Sequence, residues 1–497
     1  MTADVLEGSI GSPAAPVVQS SKHMRIVWLM LALHAIAFLC FYPRALTIYD
    51  EVFYVRQAVA FSAGHATINI SDPVTGTNGN IVPSMYPPGA SILMTPLVWL
   101  SGWRATFLLG LLSVSLAVLC TARWIAESGG SPLYALVILG YVPTLIMSRT
   151  AMSDVPSAFL VALGLWMFWD NGESHPWRRF LAGFIAGVSA CLRDVNPLLF
   201  AFFFAGALLR RERRIWALVT GGLTGVGFRL LASYLVYGDP LFVTPHPAFT
   251  GEYFLRNLLI YSVALLVLAP GGLVCVFGYR GRRWPELICT VVTFMLLFVM
   301  YDYSAAASGG LKQWILAPRM FIPLLPILAF AMAHTAPIWF EAFARFMNQQ
   351  HALVWKHAGK VAVAIWLVAV GGIGWKSIAL YRQHEGVVSA LYSRTDPDRP
   401  ILTDIGATIK FLNEIHGPRM VARLPIAERE IEQILYRFAA VDIVVFSRDD
   451  SAFWAQLAAE NQPFINALDK KFSVAPVLEQ RFPDLGVLQI WQLTRKQ

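Results

Sequence analysis

The chain has 497 residues, 56% of them hydrophobic and only 14% charged, with a formal net charge of +8. Soluble domains carry roughly 25% charged residues, so this composition excludes an ordinary soluble enzyme and indicates a polytopic membrane protein. The positive balance does not point to nucleic acid, because the arginines fall in short clusters between apolar runs, as they do in membrane-protein loops.

Residues 1–24 are polar, hold Gly, Pro and Ser, and lack the apolar core of a signal peptide; they read as a disordered cytoplasmic tail. A bilayer crossing takes about 20 apolar residues, and 25–42 is the first candidate. Just past it comes Tyr49-Asp50-Glu51-Val52-Phe53-Tyr54, leading into a stretch that reads as an amphipathic helix on the membrane surface. Carboxylates at the edge of hydrocarbon are expensive to place and commonly serve a site. An acid there also caps a helix, so both roles stand open for Asp50 and Glu51. Next is Tyr86-Pro87-Pro88-Gly89, a rigid turn, opening a short apolar segment at 88–102 that Pro88 and Pro96 interrupt. Further candidate spans are 104–122, 133–149, 154–170, 179–193, 196–209, 215–236, 257–277, 285–301, 319–339 and 361–381.

Arginine placement sets the topology. If 88–102 does not cross, Arg123, Arg178, Arg179, the Arg210–Arg214 cluster and Arg280–Arg283 all fall inside, and few cations fall outside. The expectation is about eleven spans, a re-entrant or interfacial 88–102, an inside N-terminus and an outside C-terminus. The first outer loop is then 43–103, and the membrane domain covers 25–381. Asp50, Glu51, Tyr86, Arg149, Asp154, Arg193, Lys312 and Arg319 would share the outer leaflet.

Two tight outer turns carry charge: Ser148-Arg149 to Asp154-Val155-Pro156, and Leu192-Arg193-Asp194-Val195-Asn196-Pro197. Asp154 could cap a helix or pair with Arg149, and Arg193 could pair with Asp194; alternatively these groups line a site, with Arg193 offering a planar fork to a phosphate. Lys312 and Arg319 could snorkel or hold an anionic headgroup. His246, between two prolines with Glu252 nearby, reads as a loop residue or as a ligand to a divalent cation, and no zinc, nucleotide or paired-cysteine motif appears. Residues 382–497 hold no spanning run; ILTDI, RMVARL, DIVVF, FSVAPVL and GVLQIWQL read as strands, and AEREIEQILYRFA, ATIKFLNEI and SAFWAQLAAENQPFINAL as helices, giving a small extracytoplasmic α/β domain.

Acids and cations gathered at one leaflet suit a sugar linked to a lipid phosphate. A carboxylate would activate an acceptor hydroxyl, and a guanidinium or ammonium would stabilise the departing phosphate, giving single displacement with inversion, as in inverting glycosidases. YDEVFY, YPPGASILMTPLVWLSGW, SRTAMSDVPSAF, LRDVNP and PRMFIPLLPIL, in this order, resemble the GT-C fold integral-membrane glycosyltransferases, in particular the branch of protein O-mannosyltransferases and the lipid A aminoarabinose transferase. That resemblance implies a mainly α polytopic bundle and a bacterial inner-membrane location. It also implies a polyprenyl-phosphate sugar donor and a glycan, lipid or protein acceptor. By motif position it makes Asp50 the catalytic carboxylate and lines the site with Asp154; Arg193, Lys312 and Arg319 would hold donor phosphate. Where the aminoarabinose branch has a lysine after the aromatic of the YPPG-like segment, this chain has Pro87, and the sequence names neither sugar nor acceptor. A transporter or lipid flippase is the rival reading; it requires acids at the bilayer midplane and repeated halves, neither of which the hydropathy shows.

Overall fold

The computed structural model describes residues 16–169, 175–244, 249–301, 314, 317–346, 352–404, 411–413, 415–447 and 463–496. Every apolar segment anticipated above is helical within them, and the chain is a multi-pass membrane protein with a small sheet domain at its C-terminal end. Helix α1 (Pro16–Cys40) begins within the expected tail, whose residues 1–15 lie outside the described residues. Then come α2 (Tyr49–Ser62), the hairpin β1 (Ile68–Ser71) and β2 (Asn78–Ile81), α3 (Gly89–Ser101) and α4 (Leu108–Glu127). The segment at 133–149 is three short helical pieces rather than one rod; the second break, at the extended Tyr141, lies between Gly140 and Pro143. The bundle continues with α5 (Asp154–Phe168), α6 (Pro176–Ser189), α7 (Leu198–Leu209) and α8 (Ile215–Tyr237). The 257–277 segment is a bent pair, α9 (Phe254–Leu268) and α10 (Gly272–Gly278), turned by 93° where Pro270 removes a donor and Gly271 adopts φ +77°. Helices α11 (Trp284–Val299), α12 (Leu325–Phe346, entered through a 3₁₀ turn at Ala317–Leu324) and α13 (Ala352–Arg394) complete the set.

Among the described residues, five helices are long and apolar enough to cross a bilayer, six if the bent pair counts as one span. The others are shorter; α3, with 13 residues, is about 20 Å long, short of the roughly 30 Å hydrocarbon core. Close helix packing rests on small residues. Gly183 and Gly187 on α6 face Gly221 and Gly225 on α8, and a Cβ on Gly221 would lie 2.0 Å from the Phe180 carbonyl oxygen. Two GxxxG stripes thus press their backbones together, the usual means of association where lipid removes the hydrophobic drive between helices.

The C-terminal sheet has strands β3 (Ile401–Thr403), β4 (Val421–Arg423), β5 (Ala440–Ser447), β6 (Phe472–Phe482) and β7 (Gly486–Arg495) in the order β4-β3-β5-β7-β6. β3 runs parallel to β4 and β5, whereas β7 is antiparallel to β5 and β6. All five strands fall on the stretches read from sequence. Alternation sorts their side chains: Val444, Phe446 and Ile490 pack on Val387 and Leu391 of α13, and Ile443, Val445 and Leu493 on Ile431, Ile434 and Leu435 of α14 (Glu428–Arg437). The ATIKFLNEI stretch and the first part of SAFWAQLAAENQPFINAL lie largely outside the described residues. The segment between α1 and α4 touches this domain: Val74 of the β1–β2 turn packs into the α14 core, and the Arg437 guanidinium covers Gly76. Helix α2 is consequently not an exposed surface helix; Val52, Phe53, Tyr54, Val55 and Ala58 are buried beneath α3 and its neighbours.

Candidate active site

The two ends of α5 lie in different surroundings. Asp154 opens α5 at one level; Phe168 closes it at the other, about 21 Å away, where Arg179 and Arg283 lie over the Phe168 ring at 4.9 and 4.6 Å. The candidate site is at the Asp154 level, where α2, the Tyr86 segment, the turn after α6 and the 3₁₀ turn before α12 meet.

Asp50 stands in the first turn of α2. Tyr86 Oη donates to its Oδ1 at 2.8 Å, and Arg319 Nη2 donates to its Oδ2 at 3.2 Å. Its side chain is 24% exposed, the most open of the four charged groups here. Asp154, 3% exposed, accepts from Arg193 Nη1 at 2.9 Å. The second nitrogen of Arg193 reaches the sulfur of Met320, the residue after Arg319, so the two Asp–Arg pairs are neighbours. Tyr54 bridges them: one turn along α2 from Asp50, it stacks on Tyr86 at 5.1 Å and shares a hydrogen bond with Ser153. Asp50, Arg193 and Asp154 all act electrostatically on its phenol. Burial, then the Asp50 carboxylate, raise the Tyr86 phenol above its ordinary range; it is a donor at every working pH.

The Tyr86-Pro87-Pro88-Gly89 turn is clamped on both sides. Tyr237 Oη donates to the Tyr86 carbonyl, and Gly89 N donates to the Cys191 carbonyl at 2.7 Å. A Cβ at Gly89 would sit 2.5 Å from that oxygen, so only glycine permits the approach. This contact ties the Tyr86 ring to the turn that carries Arg193.

Glu51 has different surroundings from Asp50. Successive helical residues point about 100° apart, and Glu51 turns inward, fully buried. Its Oε2 accepts from the Thr47 and Ile48 amides, both at 2.7 Å, and its Oε1 from the Ala151 amide at 2.8 Å. Arg149 is also set apart: it lies over the Phe38 ring at 5.5 Å, among α1 and Tyr381 of α13, and the partner of Asp154 is Arg193 instead. Arg193 and Asp194 do not pair with each other; Asp194 accepts from Arg229 Nη2 at 3.0 Å. Lys312 and His246 lie outside the described residues. Among the described residues no group of three His, Cys, Asp or Glu is placed to hold a metal ion.

Sequence reading missed Tyr237, Arg229 and the bridging part of Tyr54. The last was accessible, since Asp50 and Tyr54 are four apart in a helical stretch. The others were not, because an arginine or tyrosine inside a long apolar run reads equally well as a snorkelling group.

This architecture is shared with solved structures. The crystal structure of ArnT from Cupriavidus metallidurans bound to undecaprenyl phosphate superposes with a TM-score of 0.59 at 14% identity, covering 94% of this chain and 97% of that one. The apo structure of the same protein gives 0.60 at 16% identity, covering 95% and 98%. The chain is thus a multi-pass membrane protein of the GT-C fold. The model of glycosyltransferase family 87 matches residues 85–298, a segment holding Tyr86, Asp154 and Arg193 but neither Asp50 nor Arg319; with the fold it supports a membrane glycosyltransferase. No curated protein matches the sequence.

Proposed function

We propose that the protein transfers a sugar from a polyprenyl-phosphate donor to an acceptor hydroxyl at the outer face of the membrane, by single displacement with inversion. The observation that carries this reading is the pairing of Asp50 with Tyr86 and Arg319 beside Asp154–Arg193. Asp50, the more open carboxylate, takes the acceptor proton as the acceptor oxygen bonds to the anomeric carbon. The bond from that carbon to the phosphate oxygen breaks, and the electron pair leaves with the phosphate. Arg193 and Arg319 face the growing negative charge, where fixed donors have their largest effect. Tyr86 and Arg319 orient the base, and Glu51 positions the backbone around it. The undecaprenyl phosphate of the similar ArnT structure supports a polyprenyl-phosphate donor, and the arginine distribution supports an outward site in an inner membrane. The β1–β2 turn and the sheet domain would lie outside with the site.

The test supplies the purified chain with polyprenyl-phosphate sugars and cell-envelope acceptors, and reads the product anomer by NMR. Transfer with inverted configuration is expected. Retained configuration, or transfer only from a nucleotide sugar, rejects the reading.

A further inference from the structure

We propose that the end of the bundle opposite the candidate active site is a binding platform for the phosphate headgroups of anionic phospholipids. The first turn of α6 and the connections α7–α8 and α10–α11 meet there. Glu212, between α7 and α8, accepts from Arg283 Nη2 at 2.7 and 2.9 Å and lies 3.1 Å from Arg179 Nη1. Those two guanidiniums are buried and turned inward, so the one well-enclosed acid of the turn is already neutralised. Arg211, Arg213, Arg214 and Arg280 remain exposed around it, as does Arg282, which stands 3.9 Å from Glu212.

Two features go beyond what charge sorting during insertion requires. The cations in 176–179, 210–214 and 280–283 are all arginine, as is every cation from 23 to 311, so residue type alone does not single out this end. Only the guanidinium presents a planar fork that matches phosphate oxygens two at a time. Arg211 and Arg214 adopt φ 51° and 63°, left-handed values that glycine or asparagine would take with less strain. The turn keeps guanidiniums at these positions against local preference. Finally, Trp177, Trp216 and Trp284 are 55%, 62% and 46% exposed at the starts of α6, α8 and α11. Indoles settle at headgroup depth, and these three place the neighbouring arginines at the level of lipid phosphates. The chemistry is that of an anionic phosphodiester, and the surrounding leaflet supplies it.

Native mass spectrometry of the purified full chain, titrated with phosphatidylglycerol or phosphatidylcholine of the same acyl chains, tests the proposal. Phosphatidylglycerol should bind more tightly, and its affinity should fall by about fivefold for each arginine removed in R211Q, R213Q and R214Q. The R211K/R213K/R214K variant keeps the charge and provides a folded comparison should the glutamine triple fail to insert; it should bind less tightly than the parent because the fork is lost. Added salt should weaken phosphatidylglycerol binding to the unaltered chain. Equal binding of the two lipids, glutamine variants that keep the preference, or salt-independent binding would each overturn the proposal.

Discussion

Asp50 and Arg319 lie 269 positions apart in the chain, yet Arg319 Nη2 stands 3.2 Å from Asp50 Oδ2. The pair joins α2 to the 3₁₀ turn before α12, and that turn also brings Met320 against Arg193. A site assembled this way depends on the packing of nearly the whole membrane domain. Changes at its charged residues therefore have to be separated into chemical and folding effects.

Asp50→Asn keeps the side-chain volume and removes the proton acceptor. Turnover should fall by about 10²- to 10⁴-fold, with the thermal midpoint in detergent close to that of the parent. Near-normal kcat in a folded Asp50→Asn preparation would remove Asp50 from the chemistry.

Glu51→Gln should behave the other way. Three backbone amides converge on this buried carboxylate, and an amide side chain can turn only one oxygen toward them. The cost is about 1–3 kcal/mol for each buried group left unsatisfied. The thermal midpoint should drop, while turnover per folded molecule stays close to normal; a large loss of kcat at unchanged stability would contradict the positioning role.

Arg193→Ala should raise the KM for the donor more than that for the acceptor. It also strands the buried Asp154 carboxylate, at a cost of about 3–5 kcal/mol. The double variant R193A/D154N should recover stability without recovering donor affinity. Two-substrate steady-state kinetics and a melting curve read both effects, and an effect confined to the acceptor would misplace Arg193.

His416 lies edge-on to Trp103 at 5.8 Å and to Tyr392 at 6.4 Å, between the membrane domain and the sheet domain. Burial first, then Arg104, push its pKa from 6.5 down to about 4. The folded state thus prefers neutral imidazole. The stabilisation is fully present above pH 6.5 and is lost as pH falls toward 4, to a limit of about 3 kcal/mol. Melting between those values should be pH-dependent, and His416→Phe should flatten that part of the profile; an unchanged slope would show that another group titrates.

Orientation is open to a direct test. Ser393 and Ser473 are exposed on the sheet-domain side. Cysteines placed there, in a cysteine-free background, should react with an impermeant maleimide in spheroplasts. A cysteine beside Glu212 should react only after lysis. The reverse pattern would turn the proposed site toward the cytoplasm.

Much of this was legible in the sequence because it depends on local pattern. Alternating residues marked the five strands, and arginine spacing separated loops that the helices carry to opposite ends. The order of Asp50, Tyr86, Asp154 and Arg193 brought together residues that do meet. What stayed hidden depends on partners remote in sequence. Nothing local shows that Glu51 faces three amides while Asp50 faces an arginine, or that Arg193 joins Asp154 and leaves Asp194 to Arg229. The bend after Leu268 was written in Pro270-Gly271 but passed unnoticed, because hydropathy continues smoothly across it.

Helix α13 runs unbroken for 43 residues, about 65 Å, and its far end supplies Val387 and Leu391 to the sheet domain's core. The composition changes near residue 382, yet no hinge lies there. The domain is therefore set in rotational phase with the last span, like a key on its shaft. One residue inserted after Arg382 would swing it by about 100° and carry Arg437 away from Gly76, although every local contact within each part survived. The length of this helix, counted in single residues, is thus under as strict a constraint as the charges of the site.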